Sequence, residues 1–201
     1  MITRIGVIVQ DASSSGFLRG LGNRLGCAAE FVDAPAAMGK SRSMTSKQAR
    51  QVSDYFRRRG VHLIVRFTDA DGVRWQDVRR SELEVFPSDI RSMLVCGVAV
   101  ENVEDLLCRD APYLAHQIDI PLAELNDPLH RTERIKKAIH RLTARSGKKR
   151  SDVVAKLVED VPAEIFRRWL TDNALRKLYT DCRAAASRAD CETPNELEPS
   201  S

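Results

Sequence analysis

"HLIVRFTDADGVRW", residues 62–75, holds the most informative transition in the chain. It opens with a short apolar run rich in β-branched residues, which is typical of a strand buried on both faces of a parallel sheet. The run leads into Asp-Ala-Asp-Gly. Because residues i and i+2 of a strand point to the same face, Asp69 and Asp71 are predicted to aim two carboxylates at one point. A hard divalent cation would relieve their repulsion, whereas a plain Asp/Gly turn accounts for the same residues without any site.

The composition is that of a globular protein with a mildly basic balance. The chain has 201 residues, of which 43% are hydrophobic and 30% are charged, and its formal net charge is +4. This charge is compatible with a nucleic-acid partner without requiring one. No apolar stretch is long enough to span a bilayer, and "MITRIGVIVQ" at the N-terminus reads as a strand instead of a signal peptide. We therefore expect no membrane association.

The cysteines give no sign of a disulfide framework or of a zinc site. There are five, with no CxxC pair: Cys27, Cys96, Cys108, Cys182 and Cys191. An odd, unpatterned set without an export signal favours reduced thiols and a cytoplasmic location.

Apolar runs and helical stripes alternate along the first 120 residues. Strands are predicted at residues 4–9, 27–34, 61–67 and 92–100, and helices after Asp11 and at residues 45–60, 77–86 and 101–118. Such alternation predicts an α/β fold with a mainly parallel central sheet and helices on both faces. In sheets of this kind, the functional crevice lies at the carboxyl ends of the strands, where Asp69 is placed.

The character of the chain changes after Ile120. We predict an α/β domain over residues 1–120, a basic helical C-terminal extension over 121–188, and a disordered polar tail over 189–201. Residues 131–150 are expected to form an exposed helix followed by a basic turn at Ser146-Gly147. The candidate nucleic-acid contacts in this run are Lys136, Lys137, Arg141, Lys148, Lys149 and Arg150. A solvated helix face is the alternative interpretation of the same charges.

Three short blocks carry a resemblance to a known family: "GVIVQDASSSGFLRGL" at residues 6–21, "FTDADG" at 67–72 and "VAVENVEDLLCRD" at 98–110. Together they resemble the Toprim domain, the acidic α/β unit of topoisomerases, primases and overcoming-lysogenization-defect nucleases. More closely, the first 120 residues or so are similar to a family of small bacterial Toprim-like proteins of unknown function. The family has a glutamate at the end of its first strand and an Asp-x-Asp at the end of a later one, which together bind Mg²⁺ for phosphodiester chemistry.

The resemblance implies a site that has lost charge. The strand-one glutamate falls on Gln10, and the glycine after it falls on Asp11. In the last block, the two glutamates fall on Asn102 and Glu104, the tryptophan on Leu106 and the final aspartate on Asp110. An amide oxygen can bind a metal, but it neither neutralises Mg²⁺ nor acts as a general base.

Residue roles follow from the same resemblance. It implies Asp69, Asp71 and Glu104 as catalytic residues, and Asp69, Asp71, Asp110 and Gln10 as ligands of a weakly held Mg²⁺. Asp11 could replace the lost carboxylate, but it is shifted by one residue and would face the other way unless the first strand has already ended. As alternatives, Glu101, Glu104 and Asp105 read as a solvated first helical turn, and the serines at 13–15 read as helix capping instead of a phosphate-binding turn.

Two functions remain open from the sequence. The first is a catalytically degenerate Toprim-like subunit that acts through nucleic-acid or protein partners. The resemblance adds an ATPase partner in a defence or mobile-element system. The alternative is an active Mg²⁺-dependent nuclease of the Toprim type. The neutral residues Gln10 and Asn102 favour the first.

Under both functions, the first and third strands are expected to be adjacent central strands, with Gln10 near Asp69. The pKa of either Asp69 or Asp71 is expected to be raised.

Overall fold

A computed structural model describes residues 3–26, 29–35 and 44–188. Its centre is a four-stranded, entirely parallel sheet with the strand order β2-β1-β3-β4. The strands are β1 (Thr3–Ile8), β2 (Ala29–Asp33), β3 (Leu63–Asp69) and β4 (Leu94–Ala99). The predicted α/β class and the adjacent central position of the first and third strands are both confirmed. Residues 27 and 28 of the predicted second strand lie outside the described residues.

Helices cover both faces of this sheet. Those of the α/β part are α1 (Ala12–Arg24), α2 (Ser46–Arg58), α3 (Trp75–Glu84), α4 (Val103–Leu107), α5 (Ala111–Gln117) and α6 (Leu122–Leu125). The C-terminal ones are α7 (Arg131–Ser146), α8 (Arg150–Glu159), α9 (Ala163–Trp169) and α10 (Asn173–Arg188). Short 3₁₀ turns lie at Arg91–Met93 and Cys108–Asp110. No helix in the described ranges is long and apolar enough to cross a membrane.

Each face of the sheet has its own hydrophobic core, because successive strand residues point to opposite faces. On one face, Val65 and Phe67 of β3 pack with α1 and the C-terminal helices. On the other face, Ile64 packs with α2, whose residues Val52 and Phe56 are fully buried. Helix α2 begins at a capping box between Thr45 and Gln48, which satisfies backbone N–H groups at its first turn.

The apolar interpretation of the third strand is wrong at one position. Arg66 is completely buried, and its Nε donates to Glu82 Oε2 of α3 at 2.9 Å. A charge can be buried at this depth only when it is paired. The ion pair connects β3 to α3. Helix α3 begins and ends two residues earlier than the predicted helix at 77–86.

The C-terminal helices share the first of these cores. Buried residues of α7, α8 and α10, among them Ile139, Val154 and Leu178, belong to the same cluster as Val65 and Phe67 of β3. Helical packing on the sheet was expected, and the division of the chain at residue 120 stays a prediction. The tail at 189–201 lies outside the described residues.

Candidate functional site at the carboxyl edge of the sheet

The Asp-Ala-Asp-Gly stretch is part strand and part turn. β3 ends at Asp69, and the amide of Val73 donates to the carbonyl of Ala70 at 3.0 Å. Asp71 and Gly72, between them, both have positive φ, 48° and 83°. These values define a type I′ turn, for which Asp-Gly is a favoured pair. The prediction that Asp71 shares a strand face with Asp69 is therefore wrong, because the strand has ended before Asp71.

Asp69 is nevertheless in an acidic environment. Its Oδ1 is buried, and no described group donates a hydrogen bond to it. Burial raises the pKa of Asp69 to about 7, with further increases from the negative charges of Asp11, Asp71 and Glu104 and a decrease from Lys136. The predicted direction of this pKa shift is confirmed. Its largest cause is loss of water, and repulsion by Asp71 comes only third.

Asp11 joins this acidic cluster from β1. That strand ends at Ile8, so the alternation that would turn Asp11 away no longer applies. Asp11 is the N-cap of α1, and its Oδ1 accepts a hydrogen bond from the amide of Ser14 at 2.8 Å. The condition under which Asp11 could replace the lost carboxylate, an end of the first strand before residue 11, is therefore met.

Gln10 lies beside the end of β3, as predicted, but contacts the residue before Asp69. Its Nε2 donates to Thr68 Oγ1 at 2.9 Å. Thr68 and Asp69 are consecutive strand residues, so their side chains point to opposite faces of the sheet. The amide of Gln10 is therefore turned toward the α2 and α3 face, whereas Asp69 is on the α1 face.

Glu104 is the most buried acidic residue of the group, with 1% of its surface exposed. It accepts hydrogen bonds from Ser13 Oγ and from Arg150 Nη2, both at 3.1 Å. Arg150 Nε also donates to Ser13 at 2.9 Å, and Lys136 Nζ lies 3.9 Å from the carboxylate. The alternative of a solvated first turn is wrong for Glu104, since this carboxylate is held by two cations and a hydroxyl inside the fold.

Asp110 serves a different part of the structure. Its Oδ1 accepts from the amide of Tyr113 at 3.1 Å and caps α5, and its Oδ2 pairs with Arg168 of α9. It is not among the charges that shift the pKa of Asp69. Its predicted role as a metal ligand beside Asp69 gains no support from this placement.

The acidic cluster does not match the magnesium site that the resemblance implies. Within the described ranges, no three His, Cys, Asp or Glu side chains are arranged so that they could hold a metal ion. Glu104 is held by Arg150, and Gln10 by Thr68. Asp69, Asp71 and Asp11 lie near one another at one edge of the sheet.

The predicted basic turn is confirmed, with one correction. Helix α7 ends at Ser146, and Gly147 is left-handed with φ 65°. Lys148 and Lys149 are exposed, but Arg150 is the first residue of α8, and only 33% of its side chain is exposed. Its guanidinium faces Glu104, which no sequence signal indicated, because the two residues are 46 positions apart.

Comparison with known proteins adds no identification, since no family model, no curated protein and no solved structure matches this chain.

Proposed function

We propose that the chain is a non-catalytic, Toprim-like subunit that acts by binding nucleic acid or a protein partner. The observation that carries this proposal is the contact of Glu104 with Arg150 and Ser13. A carboxylate that is buried against a guanidinium is already neutralised, so it is not available as a metal ligand or a general base. An ATPase partner in a defence or mobile-element setting belongs to the same proposal and is supported by the resemblance alone.

The raised pKa of Asp69 also supports a non-catalytic role. With a pKa of about 7, this carboxyl is protonated in a large share of molecules at neutral pH. A metal ligand must be deprotonated, so binding of Mg²⁺ has to compete with that proton. Gln10 supplies no charge to favour the metal, which makes any Mg²⁺ weakly held.

An active Mg²⁺-dependent nuclease remains the second candidate because of one observation. Asp69 Oδ1 accepts no hydrogen bond from the described residues and lies near Asp11 and Asp71. A cation would satisfy this oxygen and would relieve the repulsion between the carboxylates. In that case, Asp69 and Asp71 would hold the metal, and Asp11 would add a negative charge nearby.

Calorimetric titration with Mg²⁺ and Mn²⁺, paired with a cleavage assay on DNA and RNA, separates the two candidates. We expect wild type to bind the metals weakly and to cleave neither substrate. Gln10→Glu is expected to bind metal only slightly more tightly, because it returns a negative charge to the end of β1 but on the opposite face of the sheet from Asp69. Asp69→Ala is the matched variant that removes the central carboxylate.

Metal-dependent cleavage by wild type that is lost in Asp69→Ala would overturn the non-catalytic proposal in favour of the nuclease. If neither wild type nor the two variants bind metal, the Asp-Ala-Asp-Gly stretch is a turn without a metal site.

A further inference from the structure

Helix α7 presents a strongly basic surface on the side away from the core. Its buried side, with Ile135, Ala138 and Ile139, packs into the main hydrophobic cluster. The opposite side and the turn after it form what we name the α7 basic face: Lys136, Lys137, His140, Arg141, Arg145, Lys148 and Lys149, all exposed. Glu133 is the one exposed acidic residue on this helix.

The cations of the α7 basic face differ in how far they are already neutralised. Lys136 faces Glu104, Lys137 pairs with Glu133 at 2.7 Å, and Arg145 lies 3.5 Å from Asp119. In the part of the chain that the structure describes, the side chains of Arg141, Lys148 and Lys149 form no ion pair. These three cations, together with the partly compensated ones beside them, leave a net positive surface open to solvent.

The composition of the face indicates which partner it fits. Apart from Ala144 and Gly147, the residues exposed along it are charged or polar; the imidazole of His140 is its one ring, and it carries no Phe, Tyr or Trp and no large apolar side chain. Recognition of single strands relies on stacking of bases against aromatic rings, and protein interfaces are enriched in aromatic anchors. Phosphate groups require only cations, and they dominate the affinity of sequence-independent duplex binding.

We propose that the α7 basic face binds the phosphate backbone of a nucleic-acid duplex without reading its sequence. This inference rests on the binding role proposed above. The helix has 16 residues, which corresponds to a length of about 24 Å, enough to lie along several phosphates. The left-handed Gly147 ends the helix and places Lys148 and Lys149 directly after it, so the turn extends the basic face beyond the helix end. Arg150 and Lys136 contribute less, because Glu104 already holds them.

The test measures binding of the full chain to a short fluorescent DNA duplex by anisotropy, over a series of salt concentrations. The variant is Lys148→Ala/Lys149→Ala. Its matched control is Lys47→Ala/Arg50→Ala, which removes the same charge from α2, on the opposite face of the sheet. Lys47 and Arg50 are likewise exposed and form no ion pair among the described residues. Far-UV circular dichroism verifies that both variants are folded.

We expect the 148/149 variant to lose affinity by about tenfold or more, and its plot of log K against log salt to flatten by about two units, since each phosphate contact contributes roughly 0.9. The 47/50 control should keep the wild-type slope. Equal losses in the two variants would show a net-charge effect and overturn the assignment. Tighter binding of the matching single strand would overturn the choice of a duplex.

Absence of duplex binding by wild type would remove the α7 basic face as a nucleic-acid surface and would leave the non-catalytic proposal standing. The non-catalytic proposal is tested separately: it fails if wild type shows metal-dependent cleavage that Asp69→Ala abolishes.

Discussion

Two carboxylates at the same edge of the sheet have opposite surroundings. Glu104 is almost fully buried, yet Arg150, Lys136 and Ser13 surround it with positive charge and a hydrogen-bond donor. Asp69 is less buried, but its Oδ1 has no donor in the described structure and its acidic neighbours outnumber Lys136. The two residues therefore differ in their partners: Glu104 has cations and a hydroxyl donor, whereas Asp69 Oδ1 has no donor among the described residues.

Asp69→Asn is predicted to stabilise the protein at high pH and to have little effect at low pH. The pKa of Asp69 is about 7 in the folded chain against 3.8 as its ordinary value. Between these values, the folded state holds a proton that the unfolded state has released, so the free energy of unfolding falls as the pH rises from about 4 to about 7. Asparagine has no carboxyl group to titrate, so the variant does not lose stability over this pH range. We expect a gain of about 1–2 kcal/mol at about pH 8, below the full value of the shift because the group is partly solvated.

Urea unfolding of wild type and variant across this pH range measures the difference. Asp89→Asn is the control, since Asp89 is exposed and, within the described ranges, pairs with Arg57 alone at the surface. It should reproduce the wild-type dependence on pH. A stability difference between Asp69→Asn and wild type that does not change with pH would contradict the raised pKa.

At the scale of elements, α1 and α8 pack with their backbones in close contact. Gly16 and Gly20 lie on one side of α1, four residues apart, where α8 approaches. A methyl group at Gly20 would lie 2.5 Å from the carbonyl oxygen of Ala155, and one at Gly16 would collide with that of Ser151. Because Ser13 lies on α1 and Arg150 begins α8, this packing also positions the Arg150–Glu104 contact.

Gly16→Ala and Gly20→Ala are predicted to destabilise the fold by about 1–3 kcal/mol each, the usual cost of overpacking, even though alanine favours helix by about 1 kcal/mol. The methyl groups meet backbone atoms, so α8 has to move away. Gly22→Ala, on the same helix, is the control, because its methyl group meets only the partly exposed ring of Phe31, which can shift. Chemical denaturation measures all three. Equal effects at positions 20 and 22 would contradict the close backbone contact.

At the scale of the whole molecule, one hydrophobic cluster joins the sheet to the C-terminal helices. It runs from Ile5 in β1 to Ala185 in α10. Removal of residues 121–188 would expose to water the part of this cluster that the C-terminal helices cover, at a cost of roughly 25 cal/mol for each Å² of apolar surface. The basic helical extension thus shares a hydrophobic core with the α/β part. The composition of the chain changes at residue 120, but the hydrophobic cluster continues across that position.

We therefore predict that the chain unfolds in a single cooperative transition. The two tryptophans report on different regions, since Trp75 begins α3 and Trp169 ends α9. In the single-tryptophan variants Trp75→Phe and Trp169→Phe, the fluorescence transition in urea should coincide with the far-UV circular dichroism transition of the same variant. Separate transitions would show that the two regions unfold independently.

Much of the fold was predictable from sequence because its signals are local. Runs of β-branched residues predicted the strands, and the alternation of strand and helix predicted a parallel sheet. The adjacency of β1 and β3 was predicted from their doubly apolar runs together with the strand order that the resemblance implies. The basic helix α7 and the turn after it were predicted from the apolar stripe of Ile135 and Ile139 and from Gly147. The same local reasoning wrongly placed Asp71 on the strand face of Asp69. Strand alternation stops where the strand ends, and β3 ends at Asp69.

The chemistry of the site was decided by tertiary structure. The sequence by itself determined that Asp69 lies at the carboxyl edge of the sheet, since it follows a hydrophobic run that predicts β3. It predicted a raised pKa in the Asp69 and Asp71 pair but not the main cause of that shift, because burial depends on residues distant in the chain. Arg150 reaches Glu104 only because α8 packs against α1, and Asp69 has a raised pKa because the assembled fold removes water from it. Burial and long-range ion pairs arise only when the helices and the sheet come together.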